Sequence, residues 1–110
     1  MAVFAVTVVY GPAWAPGVGR REQPGWDEHA DFMDRLVEDG TVLLGGPVGD
    51  GTDVLLAVEV RDEDELRAAF AADPWHAGGM LRFGRIDPWQ LWLDSRPALQ
   101  AAATSDVDSG

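Results

Sequence analysis

The sequence contains no cysteine and no lysine. The first absence removes disulfides, thiolate nucleophiles and thiolate zinc ligands together, and it suits a reducing compartment, so a cytoplasmic location is expected. The second leaves arginine as the fixed cation. With Lys+Arg at 8 against Asp+Glu at 19, the formal charge is -11. Such a chain repels phosphate backbones and anionic lipid, and no basic run offsets the repulsion; nucleic-acid and membrane-surface partners are excluded on that ground. No apolar run approaches the ~20 residues that cross a bilayer. The apolar opening residues lack a positive flank and a cleavage pattern, so no signal peptide is expected. Walker, Rossmann and G-x-S-x-G patterns are missing too. What remains is 110 residues, 46% of them hydrophobic, enough for one globular domain over 1–94.

Val3 to Tyr10 (VFAVTVVY) is β-branched and aromatic and stops at Gly11-Pro12, which predicts a strand apolar on both faces. A Pro- and Gly-rich loop over 11–25 carries Trp14, Arg20 and Arg21. Trp26, Ala30, Met33 and Val37 then recur at helical spacing, with Leu36 beside them, and Gly40 is a good residue to end the helix. Thr41 to Leu44 and Val54 to Val60 are expected to form a hairpin around the Gly49–Asp53 turn, with Gly45-Gly46-Pro47 as the first strand's exit. Asp62 and Glu65 resemble a capping box for a second helix lined by Leu66, Ala69 and Phe70. Asp73-Pro74 breaks that helix. Met80 to Leu93 is read as a final strand pair, and 95–110 as a disordered tail.

The order β-α-β-β-α-β predicts an α+β fold, a ferredoxin-like split sandwich with an antiparallel sheet and both helices on one face. The apolar strands need cover on the other face as well, and Trp89, Leu91, Trp92 and Leu93 enlarge that need. A homodimer packed sheet to sheet is the inference. The same topology gathers one rim: the 11–25 loop, His29, Gly45-Gly46-Pro47 and Asp73 to His76. Both histidines lie there, with Arg20, Arg21, Trp14, Trp26 and Trp75.

His29 falls one turn into helix one. A helix N-terminus disfavours imidazolium and a carboxylate such as Asp73 favours it, a balance that suits a general base whose tautomer the carboxylate fixes. A histidine that hydrogen-bonds a loop, and an aspartate serving its turn before proline, would look the same. The backbone of Gly46 and Pro47 would approach a ligand oxygen, and Arg20 or Arg21 would clamp an anionic group unless Glu22 engages it. Trp26 and Trp75 would line an apolar cleft. His76 is expected to be exposed. No metal site is expected, because His29 and His76 lack local ligand spacing.

The strings REQPGWDEHADFMDRLVEDGTVLLGGPVGDG, DPW after the second helix, and IDPWQLWLD near the end resemble the YciI-like (YCII-related) family over about residues 2–94. The resemblance implies a ferredoxin-like dimeric α/β barrel with a His/Asp active site near the dimer cleft, matched here by His29 and Asp73. One relative eliminates chloride from a chlorinated hydroxyhydroquinone without a redox cofactor. This chain departs from the family in its longer 11–25 loop and in its arginine, since Arg21 lies eight residues before His29 rather than a few.

Two functions follow. One is cofactor-independent acid/base chemistry, an elimination or isomerisation of a small oxygenated aromatic or unsaturated carbonyl compound. His29 and Asp73 would be catalytic; Arg21, Gly46, Pro47, Trp26 and Trp75 would hold substrate. The other is a non-catalytic homodimeric module that binds a metabolite or a protein.

Overall fold

The computed structural model describes residues 1–95, so the expected tail, apart from Ser95, lies outside them. Four strands and three α-helices follow in order among the described residues: β1 (Ala2–Tyr10), α1 (Trp26–Glu38), β2 (Val42–Val48), β3 (Asp53–Val60), α2 (Glu63–Ala71), α3 (Pro74–Ala77) and β4 (Leu81–Pro88), with one turn of 3-10 helix at Arg20–Glu22 before α1. The strands make one antiparallel sheet in the order β2-β3-β1-β4. Strand pleating separates its faces. Phe4, Val6 and Val8 of β1 join Leu56, Val58 and Val60 of β3 in the core beneath the helices, with Phe32, Leu36, Leu66 and Phe70 packed on them.

Helix α1 buries His29, Phe32 and Leu36, whereas Val37 is 55% exposed. The inward stripe is therefore turned from the expected one. Trp26 and Met33 stay at its margin, because the larger side chains and a partnered imidazole fill the core better than Ala30 and Val37 do. The helix stops as expected, with Gly40 at φ 82°. At α2 the Asp62 carboxylate accepts from the Glu65 amide at 2.8 Å, and the Glu65 carboxylate accepts in return from the amide of Arg61 rather than of Asp62.

Two expectations about the strands change. Gly45-Gly46-Pro47 is not an exit but part of β2, paired with Leu56, Leu55 and Val54, and the register slips at Leu43 so that Leu44 sits opposite Ala57 on the outer face. After β4 no second strand forms. Trp89 donates its amide to the Val3 carbonyl at 2.8 Å, and Trp89, Leu91 and Leu93 border a hollow with Leu44 and Ala57. Pro88 sits opposite Phe4 at the end of the edge strand β4, where the missing amide costs no ladder bond. No helix of the described residues is long and apolar enough to cross a membrane.

Candidate active site

Asp73 stops α2 and starts α3. Its proline neighbour takes the first helical position, where a missing N–H costs nothing, and its carboxylate accepts from the Trp75 amide at 3.1 Å. The same carboxylate, fully buried, meets Nδ1 of His29 at 2.9 and 3.0 Å. One side chain thus does the turn chemistry and orients the imidazole. A carboxylate accepts, so Nδ1 donates and the neutral ring keeps its lone pair on Nε2. That atom makes no hydrogen bond, and no buried side-chain nitrogen or oxygen of the described residues lacks a partner, so Nε2 stays open to the cavity or to solvent.

Trp75 holds the ring from the side. Its indole is 1% exposed and stacks on His29 with centroids 4.0 Å apart and planes 9° from parallel. Its Nε1 donates to the Pro24 carbonyl at 2.7 Å, which ties the turn before α1 to α3. Gly25 is required in that turn: its φ is 77°, and a Cβ there would come 3.3 Å from Trp75 Nε1. Trp26 stands 6.1 Å from His29, ring to ring, and 5.8 Å from Trp75.

The 11–25 loop is pinned by Gln23, which the sequence pattern does not single out. Gln23 is 3% exposed; its side-chain oxygen accepts from the Ala15 amide, and its nitrogen donates to the carbonyls of Ala15 and Val18. A polar residue inside a Pro/Gly-rich loop was the available signal, because a loop with little secondary structure needs side chains to satisfy its backbone. The pinned loop presents Arg20 to the rings of Tyr10 and Trp14, 5.9 and 5.6 Å from their centroids, and these two rings stack on each other 4.2 Å apart. Arg20 makes no ion pair among the described residues, and it lines a cavity of about 40 Å³ together with His29, Met33, Val54, Phe70 and His76.

Of the residues expected at the site, His29, Asp73, Trp75 and Trp26 come together. Arg21 does not join the cavity; it is exposed and lies over Trp26 at 5.7 Å, so Arg20 takes the place at the cavity wall. Gly46 and Pro47 do not join it either. They sit on the edge strand and border a separate hollow on the outer face with Leu44, Leu55 and Trp89.

His76 corrects the expectation of exposure. It is half-buried against Phe70 and Phe83, with centroids 5.4 and 4.9 Å away. Burial pushes its imidazole below the ordinary value and His29 adds to this, while Asp73 pulls the other way. A base held below its unfolded value favours folding above that value, ~6.5, and the gain is lost as pH falls through the folded one. Between pH 7 and 5 the native chain should therefore lose more stability than a His76→Gln variant, measured by urea midpoints. Parallel curves would refute this.

Among the described residues no group of three or more His, Cys, Asp or Glu side chains is arranged to hold a metal ion. No protein-family model matches the chain, and no curated protein matches it closely enough to count as a relative.

Proposed function

We propose that this protein is a cofactor-independent acid/base enzyme of YciI-like type, acting by elimination or isomerisation on a small oxygenated aromatic or unsaturated carbonyl compound. The supporting observation is the buried His29–Asp73 pair, with Nε2 open beside an arginine that has no ion-pair partner. Nε2 takes a proton from the substrate, and Asp73 stabilises the imidazolium that forms. The electron pair left behind moves toward the substrate oxygen, where Arg20 meets the developing charge. In an isomerisation the proton returns to a different carbon; in an elimination the leaving group departs with its electron pair and the proton passes to water. Such a pair accelerates by ~10²–10⁴, which suits an already acidic proton.

The test is a thermal-shift screen of hydroxylated and halogenated aromatics, quinones and lactones, with mass spectrometry on every stabilising compound. Conversion of a hit supports the reading. Hits that bind and emerge chemically unchanged overturn it in favour of a ligand-binding module.

The same proposal makes the domain a ferredoxin-like split β-α-β sandwich that pairs sheet to sheet as a homodimer. Its support is the strand order β2-β3-β1-β4 together with an outer face that leaves Leu44 59%, Trp92 83% and Leu93 95% exposed. The chain should sediment at twice its own mass, and Leu44→Glu should return it to one, because a carboxylate buried without a partner is strongly disfavoured. A wild-type chain that sediments as a monomer at all concentrations would remove the dimer.

A further inference from the structure

The cavity beside His29 is too small for a substrate. At about 40 Å³ it lies far below the ~300–1,000 Å³ of small-molecule sites, so it takes only a small part of a substrate. The body of any substrate has to lie outside it. Phe70, His76 and Leu81 are common to that cavity and to a groove of about 490 Å³ between α2, α3 and β4, a volume in the ~300–1,000 Å³ range of small-molecule sites.

The groove has a definite chemistry. Its floor is aromatic and aliphatic: Phe83, Phe70, Leu81 and Ala77, with the ring of His76 tilted 39° to Phe83. Over it stands Arg67, its guanidinium 5.5 Å from the Phe83 ring centroid. Arg67 pairs with Glu63 at 2.9 Å, but the two side chains are 55% and 47% exposed, and so exposed a pair exchanges one carboxylate for another at little cost. His76 lies with Phe70 and Leu81 between the two spaces. Neither of its ring nitrogens makes a hydrogen bond among the described residues, and its ring borders both the groove and the cavity.

We propose that this groove holds the body of the substrate on which His29 acts, and that the substrate is a planar organic acid: a conjugated or aromatic framework against Phe83 and the His76 ring, with its carboxylate on Arg67. The inference rests on the acid/base reading of His29. It narrows the substrate class to carboxylates, because the guanidinium fork of Arg67 matches a carboxylate in two parallel bonds, Arg82 adds a second positive charge to the groove lining, and the Phe83 and His76 rings offer apolar contact to a conjugated framework.

Benzoate and trans-cinnamate, with benzamide and methyl cinnamate as neutral counterparts, test it by NMR titration of the full chain. The carboxylates should shift the backbone amides of Arg67, His76, Ala77 and Phe83, in wild type and in His29→Ala alike. Arg67→Gln should weaken the carboxylates roughly tenfold, the loss of one charge-assisted pair, and leave the neutral compounds unaffected. Three results would overturn the proposal: no shift at those amides with millimolar carboxylate, shifts confined to the outer face of the sheet, or equal weakening of the neutral compounds. Turnover of a substrate that leaves the groove amides undisturbed would also remove the groove, while His29 kept its role. Groove binding in both proteins supports the groove even where no probe is converted, so the two readings fail separately.

Discussion

Replacing His29 by alanine should lower turnover by ~10²–10⁴-fold, the range a positioned proton-transfer group supplies. The fold should survive. Asp73 would still cap α3 through the Trp75 amide, and the space left behind adjoins an existing cavity rather than the centre of the core. The buried carboxylate would lose one of its two partners, at about 1–3 kcal/mol. Asp73→Asn separates orientation from proton transfer. Its amide oxygen still caps α3, but an NH₂ group turned toward Nδ1 would move the ring proton to Nε2 and leave the base unable to accept. Circular dichroism, a thermal melt and product formation, measured on the same preparations, decide the matter. A folded His29→Ala protein that turns over at the wild-type rate would end the acid/base assignment.

The largest stability loss should come from Trp75→Ala, at about 3–5 kcal/mol, a typical cost for deleting a buried tryptophan. Against a total of ~5–15 kcal/mol this leaves a marginal domain. The cost is concentrated because the indole performs several tasks: it fills the core at 1% exposure, stacks on His29, meets Trp14 edge-on at 5.4 Å and bonds the Pro24 carbonyl. Trp75→Phe keeps most of the packing and loses the Nε1 bond, so about 1–2 kcal/mol is expected. Urea unfolding of the three proteins measures both steps. A loss below ~1 kcal/mol for Trp75→Ala would mean that the neighbouring rings close over the gap.

The parts of the site that could be read in advance were those set by chain direction. A helix leaving the end of β1 and another returning to the start of β4 bring His29 and Asp73 to one rim, although 44 residues separate them. Side-chain assignments within the rim were less accessible. Arg20 and Arg21 are neighbours in one turn of 3-10 helix, with the same charge and the same flexibility. Which one reaches the cavity depends on how Gln23 fastens the loop, a matter of three hydrogen bonds with no periodic signature. Glycine and proline punctuate chains, so Gly45-Gly46-Pro47 suggests a strand exit; an edge strand accepts them, since one side of its ladder is unpaired.

Local chemistry written in adjacent residues determined the order of elements, the Gly49–Asp53 turn, the stop at Gly40, the Asp62 cap and the break at Asp73-Pro74. Each of these depends on backbone angles or hydrogen bonds within a few positions, so the sequence alone carries them. The tertiary structure decided the rest: which stripe of α1 turns inward, that His76 is half-buried between two phenylalanines, that Arg20 lines the cavity with His29, and that the chain after Trp89 runs along the outer face instead of forming a second strand. Burial and electrostatic environment depend on what arrives from far along the chain. The imidazole of α1 is buried where a carboxylate 44 residues later accepts a hydrogen bond from its Nδ1.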